Sequence, residues 1–412
     1  MDSGIYGPIA RSADRVGRWA AIAIGFSIPI SIALDNVLLA LVLAGWLACG
    51  GHKDQWRAIR RNPVAIAALI LFGLLALGTL YGERYPGDGT SYLVKYADLL
   101  ALPVLVYFFR AAPARRHALF ALAAGLGLVL VLSYLVYAGI LPQRGLILSG
   151  DPASPVVFKY RLTHNYLMAY AAFLFANLGV TASARWLRLA WAGLAALAVV
   201  NVVLLVDGRT GYLVLAVLAL YGGYAWRGWK GLGYTIAGTA ALFTLLLAAP
   251  GPVQVRMAEG WQELGRWRPG EGNPNASVEA RLDFYYTGLM IVRDHPLFGV
   301  GTGGFPKAYA ERSGGAKSRN PHNEFIHLTV QLGLIGLAAF LALFYAQWRL
   351  AARLATSTET HLARGLVLAM AAGCLFNSFL LDHTEGLLYI WLSAVLYGGL
   401  KSTRSATQGA AR

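Results

Sequence analysis

The stretch AAIAIGFSIPISIALDNVLLALVLAGWLACG, residues 20–50, contains a single charged side chain, Asp35. One membrane crossing uses about 20 mostly apolar residues. This run is too long for one crossing and reads as two spans, 19–34 and 36–50, divided at Asp35-Asn36. The residues before it are polar and basic (Arg11, Arg15, Arg18), and no small-residue cleavage site interrupts the apolar run. That pattern is expected of a retained first span rather than a removed signal peptide.

The same texture continues along the chain. Of 412 residues, 57% are hydrophobic and only 13% charged. Soluble domains carry roughly 25% charged residues, so the class is an all-α polytopic membrane protein. Ten further apolar stretches, at 63–80, 92–109, 117–138, 164–180, 186–206, 211–226, 231–249, 324–348, 362–381 and 386–400, bring the expected total to about 12 transmembrane helices. The cysteines, Cys49 and Cys374, both lie in apolar segments and suggest neither a disulfide framework nor a metal site. The net charge of +15 is scattered in small basic groups between apolar runs, which suits membrane topology and anionic lipid better than nucleic acid.

Basic residues also orient the chain. With the N-terminus inside, the inner loops (52–61, 110–116, 185–188, 227–230, 349–364 and the tail) and the first residues hold 20 of the 35 Lys and Arg but four of the 20 acids. The positive-inside rule then predicts both termini cytoplasmic. The expected layout is spans one to nine in 1–249, an outer loop over 250–323, and spans ten to twelve with a cytoplasmic tail in 324–412. A loop that long is usually functional or disordered, and the aromatics of WQELGRWRPGEGNPN (261–275) argue for order. An amphipathic helix is expected over 278–294, with Asn275 and Ser277 as candidate caps.

The titratable residues gather on that outer side. In RNPHNEFIHLTVQLGLIGL (319–337), His322, Asn323, Glu324 and His327 stand at the mouth of an apolar helix. A zinc helix needs its histidines at i and i+4; here the spacing is i+5, which turns the rings to different faces. Two readings stay open for His322: an interfacial residue beside an Asn323 cap, or a general base, since neutral imidazole accepts a proton near pH 7. Arg281, in the first turn of the expected outer helix, and Arg209, in the turn VDGRTG (206–211), suit an anion. For Arg209 a pair with Asp207 or a cap on the preceding span competes with that reading. Arg161, His164 and Asn165 in KYRLTHNYLMAY (159–170) suit a head-group site or simple interface anchoring. Lys95 and Asp98 sit one turn apart and are expected to pair with each other. No Asp-x-Asp is present, GGAKS (314–318) lacks the order of a P-loop, and the glycines of GVGTGG (299–304) read as a tight turn.

The Arg-led outer helix, PLFGVGTGGF (296–305) and the Pro-His-Asn-Glu that opens the next span together resemble the bacterial O-antigen ligases, within the O-antigen ligase and polymerase superfamily. The resemblance is close over about residues 275–340 and agrees in layout over the whole chain. It implies a GT-C-like glycosyltransferase of the bacterial inner membrane with its active site facing the periplasm. It implies transfer of O-antigen polysaccharide from undecaprenyl pyrophosphate to lipid A–core, with inversion and with no metal or other cofactor. By position, His322, Arg281 and Arg209 match the family's essential residues. Arg161, His164, Asn323 and Glu324 are expected to bind substrate, and Glu324 and Asp382 are candidate secondary partners. An O-antigen polymerase or a protein-glycosylating oligosaccharyltransferase shares these features. A secondary transporter fits the span count, but transporters place polar sites at the bilayer midplane between repeated halves, whereas here they collect at one face.

Overall fold

In the computed structural model, which describes residues 7–141, 154–206, 208–248, 251–273 and 275–400, the chain is helical and the described residues contain no strand. The opening run divides earlier than expected. Helix α1 (Pro8–Ser27) ends before Pro29, and α2 (Ile32–Ala48) begins at an N-cap, Ser31, whose side chain accepts from the Leu34 amide at 3.3 Å. Asp35 is therefore not the break. It lies in the first turn of α2, fully buried, and accepts a hydrogen bond from Ser27. Proline and a serine cap end and start helices locally, and a partner on the neighbouring helix lets the carboxyl group stay inside.

The chain continues through α3 (His52–Arg60), α4 (Pro63–Gly78), α5 (Asp88–Lys95), α6 (Asp98–Phe108), α7 (Ala112–Tyr137), α8 (Arg161–Thr181) and α9 (Arg185–Val200), which runs into a π-helical turn, Asn201–Leu205. Next comes α10 (Arg209–Ala248), which reverses at Arg227 and Gly228, whose dihedrals are not helical. A Cβ on Gly231 would sit 2.0 Å from the Gly223 carbonyl oxygen, so glycine lets the two arms meet. Helices α11 (Pro252–Arg266), α12 (Ser277–Asp294) and α13 (Phe305–Arg312) follow, then α14 (Glu324–Ala351), α15 (Ser357–Cys374) and α16 (His383–Tyr397). The expected helix at 278–294 is thus present as α12.

All twelve expected apolar stretches carry helix. By length and composition, five helices among the described residues can cross a membrane, or six if the bent pair α2 and α3 counts as one span. The core lies between α1, α4, α6, α7, α8, α14, α15 and α16, and α16 is buried along its whole length.

The segment 296–304 is built into this bundle rather than laid over it. Helix α14 breaks at Gly333 (φ 65°, ψ −163°). Val300 and Gly301 donate to the carbonyls of Val330 and Gln331 at 2.8 and 2.9 Å, and Leu334 donates back to Pro296 at 2.8 Å. Thr302 closes the end of α4 through its amide to Gly78 (2.8 Å) and its hydroxyl to Leu75 (2.7 Å). Backbone groups freed at a helix break inside a bundle need such partners. A Cβ on Gly301 (φ 83°) would meet the Tyr81 carbonyl oxygen at 2.2 Å, so the glycines of 299–304 permit both the turn and the close approach.

Candidate active site

Helices α11 and α12 bring two arginines together. Arg209 opens α10 and donates to the Arg256 carbonyl of α11 at 2.7 Å. Arg281, on the first turns of α12, donates to Ser277 Oγ at 2.8 Å, and its buried Nε–H has no partner among the described residues. Both border a cavity of about 160 Å³ that is also lined by Arg161, Arg256, Ser277 and Glu263. Four arginines and one glutamate thus line it, and of these Arg256 pairs with Glu259 at 3.3 Å. Burial pushes the Arg281 pKa down from the ordinary arginine range; Tyr285 opposes this, Arg209 adds to it, and Glu263 opposes it. An arginine remains charged under such pressure, so an anion would relieve the pair.

The α12 N-terminus is organised differently from its sequence. Its N-cap is Ala276, which has no capping side chain. Instead Glu263 of α11 accepts from the Val278 amide at 2.5 Å, and Glu279 accepts from the Asn273 amide at 3.0 Å. Asn275 and Ser277 do not cap the helix, because a carboxylate from another helix occupies that end. The aromatic stretch before α12 is tied down by buried Asp283, which accepts from Trp267 Nε1 (2.8 Å) and from the amides of Gly270 (3.1 Å) and Gly272 (2.7 Å).

His322 stands just before α14, half-buried, at φ +50°. Its amide donates to Asn320 Oδ1 at 2.9 Å, and its carbonyl accepts from Tyr285, one turn along α12 from Arg281, at 3.2 Å. Its Nδ1 lies 3.0 Å from Asn377 Oδ1, and Asn377 Nδ2 lies 3.2 Å from Asp382 Oδ2. Burial lowers the imidazole pKa, the Asn377 contact partly offsets this, and Arg281 lowers it further. His322 is thus joined to α12 one turn from Arg281, although it is not among the residues that line the arginine cavity.

The other expected residues divide. Arg161 lines the arginine cavity. His164 is fully buried, with Nε2 3.0 Å from Asn201 Oδ1, and is not among the residues around that cavity. Asn165, also buried, donates to the Val206 carbonyl at 2.9 Å. Asn323 caps α14 by accepting from the Ile326 amide (3.0 Å) and donates to the Leu375 carbonyl (3.0 Å). Glu324 is fully buried and accepts from Tyr96 (2.9 Å) and the Leu380 amide (3.0 Å). His327 points into the bundle among Tyr92 and Phe305, as its i+5 offset from His322 requires. Lys95 and Asp98 do not pair: Asp98 meets His383 at 2.9 Å, and Lys95 lies over the Tyr92 ring. A helix break between α5 and α6 turns the two side chains apart. Asp207, the expected partner of Arg209, lies outside the described residues.

The residue that local reading missed is Asn377. It sits in an apolar span edge, 55 positions from His322, and no spacing rule connects them. Residues 193–341, which include Arg209, Arg281 and His322, match a family model described as O-antigen ligase. No curated protein matches the chain. An arginine-lined cavity on a helical apolar bundle accompanies that match, which supports a relationship of residues 193–341 to the O-antigen ligase and polymerase superfamily.

Proposed function

We propose that this protein is an O-antigen ligase, transferring polysaccharide from undecaprenyl pyrophosphate to a sugar of lipid A–core at the periplasmic face of the bacterial inner membrane. The observation that carries the reading is the Arg281 Nε–H, unpartnered among the described residues, at a cavity shared with Arg209 and one helical turn from Tyr285, which donates to the His322 carbonyl. In this reading the bundle crosses the membrane twelve times in a GT-C-like layout, with both termini cytoplasmic. The acceptor hydroxyl oxygen attacks the anomeric carbon of the first donor sugar while the bond to the phosphate oxygen breaks. The electron pair leaves with the pyrophosphate, which Arg209 and Arg281 stabilise, and the hydroxyl proton passes to His322. A single displacement inverts the anomeric configuration. Charge-assisted bidentate contacts to the leaving phosphate supply the stabilisation where charge develops. Lower down the same helices, α8, α9 and α10 border an apolar groove of about 540 Å³, which suits the donor's polyprenyl chain.

Purified protein given lipid-linked glycan with and without lipid A–core tests the assignment. Product that forms only with the core acceptor, and that persists in EDTA, is the expected result. Elongated lipid-linked product without the acceptor would identify a polymerase instead, and activity lost on chelation and restored by added metal would end the metal-free mechanism.

A further inference from the structure

The side chains around His322 specify more than its position. A carboxamide has one accepting oxygen and one donating nitrogen, and a carboxylate only accepts. Asp382 Oδ2, 3.2 Å from Asn377, therefore takes the NH2 group and turns Asn377 Oδ1 toward His322 Nδ1, 3.0 Å away. An oxygen in that place requires a proton on Nδ1. Neutral imidazole carries one N–H, so Nε2 keeps the basic lone pair. We propose that Asn377, oriented by Asp382, is a positioning residue that holds His322 as its Nδ1–H tautomer and so makes Nε2 the base. The inference rests on the reading of His322 as the group that takes the acceptor's proton.

Asn377 does not hold the His322 loop alone. The single Tyr285 O–H lies within reach of two carbonyls, Leu375 (2.8 Å) and His322 (3.2 Å), and Asn323 donates to Leu375 (3.0 Å). The amide of His322 has its own partner in Asn320, and its ring packs on Phe284 at 5.7 Å. The 375–382 turn thus stays tied to α12 and to the start of α14 without the Asn377 side chain. Among the described residues, what only Asn377 supplies is the acceptor at Nδ1. Histidine ligands and bases recur with such a partner because it decides which nitrogen is free.

The full-length protein in lipid nanodiscs, labelled with 15N at the rings of its eight histidines, reads the tautomer directly. The His322 signals are assigned by their loss in His322→Gln. At a pH where the ring is neutral, the wild type should show a protonated Nδ1 and a bare Nε2. Asn377→Leu, similar in volume but without an acceptor, should mix the tautomers and lower kcat ~10–100-fold with the donor KM unchanged. The swap Asn377→Asp with Asp382→Asn, which keeps an accepting oxygen toward His322 and one donor between the two positions, should restore the Nδ1–H form and most of the rate. A wild type protonated at Nε2 overturns the proposal, and so does an Asn377→Leu variant that keeps its kcat or changes only KM. Wild-type protein inactive on lipid-linked glycan would instead remove the functional reading, while the spectrum still decides the tautomer.

Discussion

At the scale of single residues, His322 and Arg281 act on each other. Burial and the Arg281 charge both disfavour imidazolium, so the folded-state pKa lies below the ordinary value of about 6.5. The neutral ring is the base, so transfer should persist as pH falls through 6.5 and fail only below it. The pH dependence of kcat/KM reports the free enzyme, and an acid-limb midpoint at or above ~6.5 would remove His322 as the titrating group. Arg281 calls for a different measurement. Lysine keeps the charge but offers a compact point donor in place of a planar fork. If Arg281 follows charge onto the leaving pyrophosphate, Arg281→Lys should lose ~10²–10³-fold in kcat, measured at saturating acceptor. Full activity in that variant would reduce Arg281 to local charge balance.

At the scale of elements, the join between segment 296–304 and α14 sets where the His322 loop stands. The break at Gly333 frees carbonyls that Val300 and Gly301 satisfy, and α12 and α13 enter and leave through this same join. Beneath it Ile291, Val300, Phe305, Tyr309 and Val330 form a small apolar cluster that seats α12 against α14. Gly301→Ala places a Cβ 2.2 Å from the Tyr81 carbonyl oxygen at a φ that L residues disfavour. Thermal unfolding in detergent should register a loss of ~2 kcal/mol or more. Gly314→Ala, also at positive φ but with no atom within 4 Å, should lose about 1 kcal/mol, the backbone contribution alone. Equal effects of the two substitutions would mean that the close approach adds nothing.

At the scale of the whole molecule, the site elements α11 to α13 gather at the end of the bundle where α10 begins and ends, away from the turn at Arg227-Gly228. If that end is periplasmic, Glu271→Cys and Ala316→Cys should react with a membrane-impermeant thiol reagent in intact spheroplasts, and Ala355→Cys should not. All three positions are exposed, and the native thiols, Cys49 and Cys374, are buried and give a quiet background. Reversed labelling would overturn the sidedness and, with it, the access of a periplasmic donor to His322.

Hydropathy and caps act over a few residues, so the sequence alone determined the helical class, the apolar stretches, the helix at 278–294, the Asn323 cap and the separation of His322 from His327. Arg209, Arg281 and His322 were legible as candidates for the same reason: each stands at a helix end or turn whose chemistry is local. What those groups touch was decided by packing. Proline and a cap, rather than the charge at Asp35, divided the first two helices once Ser27 supplied a buried partner. Asp98 turned to His383 instead of Lys95, and Glu263 rather than a neighbouring residue took the start of α12. Asn377 reached His322 across 55 positions because α15 ends in a turn against the loop before α14. Such pairings depend on where helices far apart in the chain come to rest, and a pattern read along one helix carries no record of its neighbours.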